Sequence, residues 1–310
     1  MKGPRNRRQR GKIVDGILLL DKSAGISSND ALQRNKRLFE ARKAGHTGNL
    51  DPLATGLLPI CFGEATKVCQ FLLDADKTYL AKVKLGANTT TGDAEGEIVR
   101  SADASHLTRA DFSQAAEHFV GEIKQTPPMY SAIKHQGQPL YKLARQGVDV
   151  PREARDVTIY ELRVCQFADT VAEIEVRCSK GTYIRTLAEE IGERLECGAH
   201  LTGLRRLGVG PFELKDAATY DELSALDADE RVRRLQGSDL ALERLPALAL
   251  SDDAAYYVRQ GQAVTVPSAP AKGLVRLYDE AHEFVGVGEV RSDGTVGPKR
   301  LFAAPSASAA

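Results

Sequence analysis

The sequence predicts an α+β fold, in which a mixed, largely antiparallel central sheet is flanked by helices and followed by a small β-rich C-terminal domain. Three observations lead there. Residues 77–85 alternate strictly, with Tyr79, Ala81, Val83 and Leu85 on one face and Lys82 and Lys84 on the other, as a half-buried strand does. The strands and helices that can be read along the chain are of unequal length and do not repeat as a βαβ series. After Pro246 the chain turns to short β-like pieces punctuated by Gly and Pro.

Residues 13–20, IVDGILLL, form an apolar run suited to a buried strand, and Ser27, Ser28 and Asn29 offer N-caps for a helix through about Phe39. The spacing of Phe112, Ala115 and Phe119, with Thr108 and Asp111 as capping candidates, predicts an amphipathic helix. Thr126, Pro127 and Pro128 break the chain. Residues 129–155 are rich in Gln, Gly, Lys and Arg, hold Tyr130 and Tyr141, and do not look like core, which predicts a protruding insertion. Two strands follow at about 157–167 and 171–178. The second sets Ile174, Val176 and Cys178 against Glu173, Glu175 and Arg177. A helix over 183–196 places Ile184, Leu187, Ile191 and Leu195 on one face, with Gly198 as its stop. Beyond Pro246, strand-like pieces are expected at 256–258, 264–266, 274–278 and 284–290. The expected organisation is then a basic disordered tail over 1–12, a main domain over 13–246 with the insertion at 129–155, a small β-domain over 247–302 and a flexible tail over 303–310.

Composition narrows the class. With 42% hydrophobic and 27% charged residues, no stretch approaches the roughly 20 apolar residues of a membrane helix. Lys2, Arg5, Arg7, Arg8, Arg10 and Lys12 precede the first apolar run, with no h-region, so a secretory signal is not expected. Five cysteines, odd in number and without framework spacing, suit reduced thiols and a cytoplasmic protein. Formal net charge is zero, yet residues 1–45 carry twelve Lys and Arg against four acids, a local +8. Such asymmetry points to a polyanion held by phosphate contacts, with affinity that falls as salt rises.

The most informative stretch is GHTGNLDPLATGLLP at 45–59, where glycine, proline and small polar residues bracket a single Asp. Pro52 biases Asp51 away from the α region, so its carboxylate is presented at a fixed bend. An ordinary Asp-Pro turn reads the same way on the loop alone.

Together with LLLDKSAGISSND at 18–30, DADKTY at 74–79 and SKGTYIRTLAEEIG at 179–192, this string resembles the TruB family of bacterial tRNA pseudouridine synthases, which act on uridine 55 of the T-loop. The likeness runs from about residue 13 to 302. It implies the pseudouridine synthase fold with a PUA-like C-terminal domain, no cofactor, and tRNA (the T-arm and the acceptor stem) as partner. A monomer with no obligate protein partner is expected. Asp51 matches the catalytic aspartate and Arg185 the arginine that pairs with it. Tyr79 matches the tyrosine that stacks on the uracil, Tyr183 and Leu204 supply pocket walls, and Asp93 joins the network around the nucleophile. Lys22 is counted with the substrate-binding positions. His46 matches the histidine that stacks into the T-loop when the uridine is flipped out. Residues 129–155 correspond to a mobile RNA-binding thumb, where Lys134, Tyr141, Lys142 and Arg145 are expected to touch RNA together with Arg205 and Arg206. The sequence departs from the family pattern at Ser23 (usually Pro), Asn35 (usually apolar), Asn49 (commonly Ala) and Thr90 (often Asp).

Other readings make distinct demands. A non-catalytic RNA-binding protein on the same scaffold predicts loss of Asp51 or Arg185, and both are present. A small-substrate hydrolase needs a water-activating partner that cannot be placed. A guide-RNA-dependent relative usually carries a different C-terminal extension and a docking surface for partners. Cys197 and His200 are spaced as CxxH without a second pair, so no metal is expected. The phosphate cradle GxxxxGK[ST] does not occur.

Overall fold

The computed structural model describes residues 11–303. The basic residues before Gly11 and the tail after Ala303 lie outside the described residues. Strand β1 (Gly16–Lys22) is buried on both faces. Ile17 and Leu19 join one apolar cluster while Leu18 and Leu20 join another, which explains a continuous apolar run in place of an alternating one. Each such side chain contributes about 1.5–3 kcal/mol on burial. Helix α1 (Ser28–Leu38) starts where Ser27 accepts the Asp30 N–H in its first turn. Strand β2 (Ala44–His46) and strand β3 (Thr55–Phe62) flank the loop that carries Asp51. Pro59 sits inside β3, which is buried almost throughout. It is tolerated because one side of β3 changes neighbour there, from the late strand beside Thr55 and Gly56 to β2 beside Ile60.

Helix α2 (Cys69–Asp74) leads into β4 (Lys77–Leu85), whose inward residues Ala81, Val83 and Leu85 are buried as the alternation predicts. A small hairpin follows, β5 (Ala87–Thr89) and β6 (Ile98–Ser101). Helix α3 (Arg109–Glu117) has a full capping box between Thr108 and Asp111. Strand β7 (Gly121–Gln125) precedes the insertion, which holds the two-residue strands β8 (Lys134–His135) and β9 (Gln138–Pro139) and a short helix α4 (Leu140–Ala144). The insertion is not wholly superficial: Ser131 and Leu140 are buried. Strands β10 (Arg155–Ala168) and β11 (Val171–Cys178) form a long hairpin, and helix α5 (Ile184–Arg194) packs Ile184, Leu187, Ala188 and Ile191 into the largest core. The helix ends before the expected Gly198: Leu195 is its C-cap and Glu196, at φ 59°, is the first left-handed residue, with Gly198 at φ 73° two residues on.

Strand β12 (Ala199–Val209) escapes the sequence periodicity, yet it lies at the centre of the sheet between β3 and β4. Bulges between Leu201 and Gly203 and between Arg206 and Gly208 shift its face twice and erase the alternation. With the two-residue strands β13 (Phe212–Glu213) and β14 (Ala218–Thr219), the sheet runs β14-β1-β3-β12-β4-β11-β10-β7, with β2 and β13 off this path. Only β14 with β1 and β12 with β3 pair in parallel along it. Helices α6 (Tyr220–Ala225) and α7 (Ala228–Arg233) follow, each with a capping box.

A four-stranded sheet closes the chain: β15 (Ala247–Ala249), β16 (Gly273–Tyr278), β17 (Phe284–Val290) and β18 (Val296–Leu301). The expected strand at 256–258 is instead part of helix α8 (Asp252–Arg259), capped by Ser251. Tyr256, Tyr257 and Val258 carry β propensity, but the cap and the acidic first turn decide the outcome. Leu274, Phe284 and Val287 of this sheet and Phe302 just beyond it join the apolar cluster that holds Ala65 and Val68 of the main body, and Lys67 Nζ donates to the Leu301 carbonyl at 2.6 Å.

Candidate active site

The loop bearing Asp51 is held from three sides. Leu50 N–H donates to Ser28 Oγ at 2.7 Å, and Ser28 Oγ donates back to the Leu50 carbonyl at 3.1 Å, so the loop is tied to the start of α1. Gly25 N–H donates to the Pro52 carbonyl at 2.8 Å. From below, Arg206 Nε donates to the Leu57 carbonyl at 2.7 Å, and its Nη1 and Nη2 reach the Asn49 and Gly48 carbonyls at 3.5 and 3.4 Å. Gly56 makes the fit possible: at φ 98° its Cα faces the Arg206 backbone, and a Cβ would stand 2.3 Å from the Arg206 carbonyl oxygen.

Arg206 is therefore not the surface RNA contact that the sequence suggests, because only 1% of it is exposed. Arg205 leaves β12 on the opposite face, where Nη1 and Nη2 donate to the Asp21 carboxylate at 3.1 and 2.5 Å, away from Asp51. Lys22, expected to touch substrate, is also buried. Its Nζ donates to the Ser23 and Ile26 carbonyls at 2.9 and 2.8 Å, and burial pushes its pKa down to about 8 against the pull of the Asp51 charge.

Arg185 projects from the first turn of α5. Its Nε stands 3.0 Å from Asp51 Oδ2 and 3.8 Å from Asp93 Oδ2, while Nη1 donates to the Thr91 carbonyl at 2.8 Å and Nη2 to the Tyr130 carbonyl at 2.7 Å. The helix start that carries it has no side-chain cap of its own. Gln125 of β7 fixes it, with Tyr183 N–H donating to Oε1 at 3.0 Å and Nε2 donating to the Tyr183 carbonyl at 3.3 Å. Asp93 is buried, and its Oδ1 accepts from Thr91 Oγ1 at 2.6 Å and Glu95 N–H at 3.1 Å.

Asp51 and Arg185 lie on the wall of a cavity of about 350 Å³, shared with Tyr79, Tyr130, Tyr183 and Leu204. Burial raises the Asp51 carboxyl above its ordinary range. Arg185 opposes that shift, while Asp93 adds to it. Burial likewise raises the phenols of Tyr79 and Tyr183, so both rings present a neutral face. His46, on β2, has its Nδ1 buried without a partner, and burial followed by Arg206 lowers its pKa, which favours a neutral ring.

Lys134, Lys142 and Arg145 are exposed on the insertion, and the Arg145 guanidinium lies 5.7 Å from the centre of the Tyr141 ring. His200 Nδ1 faces the Ala87 carbonyl at 2.9 Å and Cys197 Sγ the Gly198 carbonyl at 3.3 Å, so the CxxH pair serves the backbone. Among the described residues, no helix is long and apolar enough to cross a membrane.

Sequence reasoning missed Ser28, Thr91, Gln125 and Lys77 as parts of this site. Lys77 is buried at the cavity wall, donates to the Leu72, Leu73 and Ala75 carbonyls at the end of α2, and has a pKa lowered to about 8 by burial and by Arg206. A backbone-binding role leaves no mark in spacing, although Ser28 stood among the capping candidates. Of the family departures, Asn35 is accommodated by a bond from Nδ2 to the Ala31 carbonyl at 2.9 Å, with Oδ1 left unpartnered.

Comparison with known proteins places this geometry. Residues 36–184 match the N-terminal domain of the TruB family pseudouridylate synthases, 185–245 the tRNA pseudouridylate synthase B C-terminal domain, and 246–302 the C-terminal region of pseudouridine synthase II TruB. The tRNA pseudouridine synthase B of Methylobacillus flagellatus is 54% identical over 93% of this chain and 95% of its own. That of Nitrosococcus oceani is 51% identical over 96% and 98%. Among solved structures, the crystal structure of a Cbf5-Nop10-Gar1 complex aligns with TM-score 0.74 at 28% identity, covering 94% of this chain and 86% of that one. With family models matched from residue 36 to 302 and relatives more than half identical over nearly the whole chain, the chain belongs to the TruB family of pseudouridylate synthases.

Proposed function

We propose that this protein isomerises uridine 55 in the T-loop of tRNA to pseudouridine, with Asp51 as the nucleophile. The observation that carries the reading is the Asp51 carboxylate, 3.0 Å from the nearly sealed guanidinium of Arg185, on the wall of an aromatic-lined cavity. The reaction breaks the N1–C1′ bond, turns the base and joins C5 to C1′, with no redox change and no external group. Attack at C1′, addition at C6 and assistance to a glycal intermediate each call for one ionised carboxylate at this place. Arg185 keeps it ionised after the base has displaced water, because a guanidinium does not deprotonate. Tyr79 stacks on the flipped uracil, with Tyr183 and Leu204 as side walls.

Extrusion of a stacked uridine costs a few kcal/mol. His46 offsets it by placing a neutral ring in the vacated stack, and Lys134, Tyr141, Lys142 and Arg145 hold the RNA from the insertion. Relatives named tRNA pseudouridine synthase B, at 51–54% identity over nearly the whole chain, support tRNA as the substrate. The reading includes a cytoplasmic monomer that needs neither cofactor nor protein partner; five cysteines, odd in number and without framework spacing, suit a reducing compartment.

The test is tritium release from a T-arm transcript labelled at uridine C5, with pure protein and neither metal nor nucleotide. Release at a single site, lost when that uridine is replaced by cytidine, is expected. A protein that binds the transcript and releases nothing would leave an RNA-binding role in place of catalysis.

A further inference from the structure

Arg185 connects three separate segments. Its side chain is only 7% exposed. Nε faces Asp51 in the loop before β3, Nη1 the Thr91 carbonyl in the turn between β5 and β6, and Nη2 the Tyr130 carbonyl at the root of the insertion. A guanidinium is planar and rigid, so these bonds are not independent. Displacing the Tyr130 carbonyl turns the whole plane and draws Nε out of line with Asp51.

The Tyr130 carbonyl is in turn held by the way the insertion folds back on its root. Tyr141 N–H donates to the Ser131 carbonyl at 3.1 Å, and Leu140 N–H to the Ile133 carbonyl at 2.8 Å, so the start of α4 is hung directly on the residues beside Tyr130. Leu140 seats that helix: it is 2% exposed and among the largest fully buried side chains of the chain. A continuous set of contacts thus runs from α4, which carries Tyr141 and Lys142, through Ser131 and Tyr130 to Arg185 and Asp51.

We propose that the insertion positions the nucleophile as well as gripping RNA, with Leu140 as the positioning residue that seats α4 and thereby holds the Tyr130 carbonyl against Arg185. The inference rests on the catalytic reading above and deepens it. Loosening α4 frees the guanidinium plane, weakens the bond that favours the carboxylate form of Asp51, and misaims a group for which an ångström matters. Leu140 is itself too buried to meet RNA, and a rate measured with all the RNA bound separates aim from grip.

The experiment uses the full chain in saturating excess over a T-arm transcript, measuring single-turnover rate, with equilibrium binding followed separately across pH. Leu140→Ala is expected to lower the saturated rate by about tenfold or more. Its Kd should weaken as well, because α4 also carries Tyr141 and Lys142, but saturation removes that loss from the rate, and the acid limb should move to higher pH because Asp51 protonates more readily. Leu140→Met, which conserves volume, should return both rate and limb to wild type. Should Leu140→Ala prove unfolded at the assay temperature, Leu140→Val serves the same readouts with a smaller loss of volume. Weakened binding with an unchanged saturated rate and an unmoved acid limb overturns the coupling while leaving the RNA grip intact. Failure of the wild-type protein to release tritium would instead remove the catalytic reading beneath it.

Discussion

At the scale of single residues, Asp51 is pulled two ways: burial favours its neutral form and Arg185 its charged form, with burial the larger influence. The charged form is the reactive one, so activity disappears as pH falls through a value above the ordinary aspartate range. The acid limb of single-turnover rate is expected there, and a limb at or below that range would show that burial does not govern this carboxyl. Asp51→Asn keeps the shape and should retain RNA affinity within about tenfold, roughly 1.4 kcal/mol, while abolishing turnover. Measurable turnover in that variant would remove Asp51 from its role. Arg206 calls for a different test, since its three backbone carbonyls lose their donor together in Arg206→Ala. A loss of about 3 kcal/mol in urea unfolding is expected, with the salt dependence of RNA binding unchanged. A salt slope smaller by about one with intact stability would make it a phosphate contact after all. Asp51, Arg185 and Tyr79 were legible because each stands in a motif of fixed spelling, whereas Asp93 stands in none of them and was reached only through the family resemblance. Lys22 and Arg206 were legible as important but misplaced, because a basic residue reads as surface until its backbone partners are known.

Elements with strong local signals could be read to within a few residues. Ser27, Thr108 and the alternation of β4 each act within one turn or one pleat, and the corresponding elements stand where those signals put them. Where tertiary pairing decides, local reasoning fails: β12 owes its strand to β4 and β3 on either side, and its two bulges hide the period. Helix α8 was misread although Ser251 and the acids after it were available as a start signal. The pairing of β3 with β12 yields a prediction at this scale. Gly56→Ala places a methyl against the Arg206 backbone at a φ that L residues avoid, and should cost at least about 2 kcal/mol. Equilibrium unfolding in urea measures it, and a neutral result would mean that the two strands separate at little cost.

For the whole molecule, two features act at long range. The +8 of residues 1–45 predicts that log Kd for tRNA rises steeply with log salt, and a flat response would contradict a phosphate-dominated grip. The C-terminal sheet is fastened to residues 63–68 by Phe302 and by the Lys67 and Glu64 side chains. Phe302→Ala should weaken that fastening by about 2 kcal/mol and let the small sheet unfold first, seen as a second transition in calorimetry. The bracing of the Asp51 loop by Arg206 also has a consequence in time, because the two contact points are 157 residues apart in the chain. At the usual pace of translation, about ten to thirty seconds separate the emergence of the aspartate from that of its support. A nascent chain halted near residue 180 should therefore display the whole GHTGNLDP string and yet be inert, since the support of the reactive centre is made only after about two-thirds of the chain.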